Sequence, residues 1–89
     1  MGLVNRVCPD YELVPAAQEY ARDLAANCSP LAMQAVKAQM AADWTRPLEA
    51  SQEEALRLVR EPERRADFRE GVASFTERRA PNFPPLPPR

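Results

Sequence analysis

The side chains with the types and spacing for proton chemistry are the adjacent Glu53 and Glu54, and Asp67 with Glu70 three residues on. Paired carboxyl groups work on a substrate when their surroundings split their pKa values, so that one donates a proton while the other accepts one. Here both pairs have plainer explanations. Glu53 and Glu54 sit in an amphipathic block, and Asp67-x-x-Glu70 has the spacing of a helix capping box. The chain has no His, which removes the commonest neutral-pH proton carrier and any His-dependent triad. Cys8 and Cys28 stand alone without zinc-site spacing and are expected as two free thiols. Gly2 and Gly71 are isolated, so no glycine-rich phosphate loop exists. The expected catalytic set of this chain is empty, and so is the metal set.

The elements that would position such groups are mostly helical. Among 89 residues, fifteen are Ala and two are Gly, a balance that favours helix because Ala gives up little entropy there and Gly the most. A content of 45% hydrophobic and 28% charged residues fits one soluble globular domain. No apolar run reaches the roughly 18 residues of a membrane span, and the N-terminus lacks signal-peptide order, so a cytoplasmic location is expected. Twelve basic against 13 acidic residues give a net charge of -1, which argues against nucleic acid or a membrane surface as partner.

Ten Pro divide the chain. Leu3 to Cys8 alternates weakly and ends at Pro9, which reads as an extended segment (residues 1–9) without a strand partner in its own chain. A helix is expected from Asp10 to Asn27, with Leu13, Ala17, Tyr20, Leu24 and Cys28 as its buried stripe and Pro15 in the first turn. Ser29 and Pro30 are the N-cap and first position of a second helix reaching about Trp44. That helix is apolar around most of its circumference, from Leu31 and Met33 to Val36, Met40 and Trp44. A helix apolar all round is normally buried, yet a chain this short encloses only about 60 to 65% of its surface. Cover must come from another chain or domain. A third helix is expected over Leu48 to Arg60, and a fourth from Asp67 as N-cap to Arg79. The fold class is therefore all-α, with about four helices over residues 10–80 and a Pro-rich tail over 81–89.

The order of these pieces resembles a known family. Gly2-Leu3-Val4-Asn5-Arg6-Val7-Cys8-Pro9 with Glu12-Leu13, then Ala25-Ala26-Asn27-Cys28-Ser29-Pro30-Leu31-Ala32 with Lys37, closely resembles the C-terminal third of the crotonase (enoyl-CoA hydratase/isomerase) superfamily. Asp67-Phe68-Arg69-Glu70-Gly71-Val72-Ala73-Ser74-Phe75-Thr76-Glu77-Arg78-Arg79-Ala80-Pro81-Asn82-Phe83 looks like its closing signature. The resemblance runs from residue 2 to residue 83, with departures. Arg65 stands where Ser or Thr is usual, Arg78-Arg79 replaces Lys-Arg, Leu56 to Asp67 is short, and the extension after Phe83 is not a family feature.

The resemblance implies a missing N-terminal catalytic domain, a spiral αβ body that carries the thioester chemistry on acyl-CoA, followed by helices that assemble trimers. This chain looks like the second part, so a homo-oligomer is expected. Met1 falls where a preceding helix would be ending. A truncated chain, a proteolytic fragment and a misplaced start codon all fit that position. The chain itself then holds no cofactor, while acyl-CoA is the substrate of the whole protein. Phe75 and Arg78 match family positions near the adenine and 3'-phosphate of coenzyme A. They are also three apart on one helix face, where an aromatic ring beside a guanidinium suits a nucleotide. A competing reading makes Phe75 core and Arg78 a solvated charge. The tail Pro84-Pro85-Leu86-Pro87-Pro88-Arg89 fits a Pro-x-x-Pro-x-Arg adaptor ligand, which gives the alternative of a stand-alone interaction module.

Overall fold

Four helices follow one another in the chain: α1 (Asp10–Asn27), α2 (Pro30–Asp43), α3 (Leu48–Val59) and α4 (Pro62–Glu77). The computed structural model describes residues 2–88, and of Glu63 the backbone alone; Met1 and the Arg89 of the adaptor-type motif lie outside the described residues. Among the described residues there is no strand, and residues 2–9 belong to no helix. No helix is long and apolar enough to cross a membrane.

Local sequence accounts for each boundary. Pro9 is the N-cap of α1, one residue before the expected Asp10, and Asp10 and Glu12 place negative charge on the positive end of the helix. Pro15 lies inside the helix, beyond the first turn, at the cost of one backbone hydrogen bond. Ser29 caps α2 as expected: its Oγ accepts from the Ala32 N–H at 3.1 Å, and Pro30 takes the first position. Asp43 joins α2 to α3 by accepting from Ser51 Oγ at 2.8 Å.

α4 corrects the sequence reading. It starts at Pro62, with Glu61 as N-cap in extended conformation, six residues before the expected N-cap Asp67. The cause is the Glu-Pro step. A residue before proline is pushed out of the helical region, while the proline itself is preset for a first helical turn. Asp67 therefore lies mid-helix and caps nothing. It is buried, and its Oδ2 accepts the Ser29 hydroxyl proton across 38 positions of sequence. Arg64 adds a second tie by donating to the Leu31 carbonyl at 3.2 Å.

We expect Ser29→Ala to cost about 2 kcal/mol in a urea melt, since it removes a cap and strands a buried carboxylate. A loss below about 0.5 kcal/mol would mean that neither bond contributes to the native state.

The helices enclose little. Among the described residues Ala35, at 8% exposure, is the one buried hydrophobic residue, and the expected stripe on α1 is uncovered at Leu13 and Tyr20. The radius of gyration is 16.1 Å, against about 12 Å for a compact domain of this length. The accessible surface is 7874 Å², where a compact monomer of this mass exposes about 5,200 Å². The face of α2 stands open at Val36, Met40 (66% exposed) and Trp44 (88%).

Candidate functional site

Two places on the helices could serve a ligand or partner. One is an apolar groove of about 620 Å³ between α2, α3 and α4, lined by Val36, Leu58, Val59, Phe68 and Phe83, with Ser29 and Asp67 among its walls. Ser29 and Asp67 already satisfy one another, and most of the remaining lining is apolar, so the groove suits apolar side chains better than a reacting polar substrate.

The other lies at the end of α4. Arg78 closes the helix in the left-handed conformation, φ 54° and ψ 43°, and it is the only non-glycine residue with positive φ among the described residues. Its N–H donates to the Phe75 carbonyl at 3.3 Å and the Arg79 N–H to the Ser74 carbonyl at 3.0 Å. This is the Schellman pair, with Arg78 at the position that glycine normally takes. The Phe75 ring is 84% exposed in this chain, and Arg78 is exposed beside it. Among the described residues Arg78 forms no ion pair.

Arg79 behaves differently. Its guanidinium grips Glu70 in a fork, at 2.6 and 3.0 Å, and donates from Nε to Glu77 at 2.6 Å. Glu70 also accepts the Asn82 backbone N–H at 2.7 Å. This clasp turns the chain back along α4, where the Phe83 ring lies over Gly71; a Cβ at that glycine would sit 4.0 Å from the ring's Cζ. Glu70 thus has no capping role. The Arg79 fork, and after it the Asn82 N–H, hold its carboxyl down from 4.5 to about 2.

Because this pKa is depressed on folding, the clasp's contribution is complete above pH 4.5 and fades as pH falls towards 2. The Asn82 amide resonance should accordingly titrate with a midpoint near 2, and a midpoint near 4.5 would show the clasp open in solution.

The carboxylates with an acid/base reading are placed against it. Of these, the Glu54 carboxyl is lowered by the Arg57 fork, both bonds 2.8 Å, as Glu70 is by Arg79; Glu61, which carried no such reading, is lowered first by Arg64, at 2.7 Å, and then by Arg57. A general acid needs the opposite, a pKa raised towards neutrality. Among the described residues no three potential ligands gather as a metal site, and Cys8 and Cys28 are half-buried free thiols.

Sequence reasoning named Phe75 and Arg78, which are neighbours at the helix end, and missed the Glu70–Arg79–Asn82 clasp. Arg79 lies nine positions after Glu70, a spacing that no helical repeat brings together. Only the left-handed turn at Arg78 does so. That turn also ends the helical geometry by which Arg79 would stand about 100 degrees from Arg78.

No curated protein and no solved structure matches the chain. The motifs at residues 2–9, 25–32 and 67–83 nevertheless fall in one continuous match to a single family model, described as enoyl-CoA hydratase/isomerase and covering residues 1–85. The chain belongs to the enoyl-CoA hydratase/isomerase family.

Proposed function

We propose that this chain is the helical oligomerisation and coenzyme A-covering segment of an enoyl-CoA hydratase/isomerase assembly, inactive towards thioesters by itself. The observation that carries the reading is the uncovered surface of the chain, with Val36, Met40, Trp44 and Phe68 among its exposed apolar side chains. The chain exposes about 2,600 Å² more than a compact monomer of its mass, an area of the size that obligate interfaces bury. Such a surface is stable in water only when another protein covers it. Copies of this chain pack through α2 in trimer-type contacts, and a body domain bearing the thioester chemistry covers the rest. Phe75 and Arg78 then face the nucleotide of a bound acyl-CoA, the ring against the adenine and the guanidinium against the 3'-phosphate.

Trp44, the single tryptophan, tests the packing directly. Its emission should move to the blue as the chain is concentrated, because an indole that is 88% exposed in one chain enters an apolar contact. Emission that stays water-like at every concentration contradicts the reading. The purified chain should also leave crotonyl-CoA unchanged, since its carboxylates with shifted pKa are held as anions by arginine. Hydration above the buffer rate would overturn that part.

A further inference from the structure

A left-handed arginine is an outlier with a cost. At the closing position of a Schellman turn glycine is unstrained, whereas any side chain meets the following carbonyl oxygen. Arg78 occupies this position even so, at φ 54°. The turn is held by what surrounds it: Arg79 forks onto Glu70, its Nε reaches Glu77, and the Asn82 N–H closes on the same Glu70 oxygen that takes Arg79 Nη1. Strain of this kind persists only where neighbouring contacts over-determine the backbone, and it points to a use for the strained side chain. Of the two consecutive arginines, one is wholly consumed in the clasp and the other is turned out with no ion pair among the described residues.

We propose that Glu70 and Arg79 are positioning residues: their clasp holds the left-handed turn that presents the Arg78 guanidinium to a phosphate. The inference rests on the proposed nucleotide contact of Phe75 and Arg78. Clasp and contact divide the labour between like charges. Glu70 neutralises Arg79, so the second guanidinium neither competes for the phosphate nor repels Arg78. The phosphate must be met at the tip of Arg78, away from the helix end, because the carbonyl pole of α4 disfavours an anion. Opening the clasp would release residue 78 to conformations that point the guanidinium elsewhere, and apparent affinity falls by the fraction of competent conformers lost.

The test measures the affinity of the full chain for adenosine 3',5'-bisphosphate by titration calorimetry, with the Arg78 amide-to-Hα coupling read by NMR. Arg78→Ala and Arg78→Gly should each weaken binding about tenfold or more by loss of a charge-assisted bond, and the glycine variant should hold the turn at least as firmly as the native chain. Glu70→Gln keeps Arg78 yet should lose roughly threefold to tenfold, with the coupling moving away from its left-handed value. The double variant E70R/R79E, which keeps the ion pair but loses the acceptor for the Asn82 N–H and sets a carboxylate at position 79 beside Glu77, should recover affinity and coupling in part, above the Glu70→Gln level. If Glu70→Gln also disturbs the helices, the recovery by the reversed pair decides the matter. Native and Arg78→Ala chains of equal affinity, or a native chain that binds no bisphosphate, would overturn the nucleotide reading and this inference with it. An Arg78→Ala defect beside a Glu70→Gln chain of native affinity, or a reversed pair that restores the helices without affinity, overturns the positioning role alone.

Discussion

Met40→Asp should leave the chain monomeric at concentrations where the proposed α2 contact associates the native chain. Met40 stands 66% exposed on the open face of α2, between Val36 and Trp44, which are also exposed. A thioether there can be buried against another copy at a gain, whereas an aspartate must surrender its hydration to an apolar surface. The penalty should be at least ~3 kcal/mol, or about a hundredfold in the association constant. The helix itself should survive, because Asp in an exposed helix interior costs well under 1 kcal/mol. Gln52→Asp on α3 adds the same charge on an exposed polar position and should leave association unchanged. If both variants associate alike, the contact lies elsewhere than the α2 face.

The second large effect concerns substrate. If the proposed nucleotide contact holds, Arg78→Ala in the proposed enzyme assembly should raise KM for acyl-CoA about tenfold with kcat little changed, because a phosphate contact remote from the reacting carbon binds ground state and transition state equally. The penalty should shrink for a dephospho-CoA substrate, which lacks the 3'-phosphate, and shrink again with added salt. Arg79→Ala is no silent comparison, since Arg79 ties Glu70 and Glu77 and its loss acts through the turn. Arg69 serves better. It is exposed on α4, about two and a half turns before Arg78, and Arg69→Ala should leave both constants unaltered. A fall in kcat with KM unchanged in Arg78→Ala would remove Arg78 from the binding site.

Much of this architecture is legible in the residues. Ser29-Pro30 announces the start of α2, Pro47 and Pro62 mark breaks that the helices respect, and the all-round apolar character of Leu31 to Trp44 foretells a face that its own chain leaves open. The failures have one physical origin, interactions between residues far apart in sequence. Asp67 looks like a cap because Asp-x-x-Glu is a local signal, but Pro62 starts the helix first and Ser29, 38 residues away, takes the carboxylate. Glu70 looks like the other half of that box, yet it serves Arg79 and Asn82 through a turn that nothing in the residue types foretells, since Arg is a poor choice for a left-handed position. The stripe on α1 is readable as amphipathic, but periodicity states only which face wants cover and never who supplies it.

Sedimentation equilibrium of the 89-residue chain, from low to high micromolar concentration, bears most directly on the claim that these helices exist to be covered by other protein. The weight-average mass should rise with concentration above that of one chain, towards three, while a Met40→Asp chain stays at one. A native chain whose weight-average mass stays that of one chain at every concentration would contradict that claim.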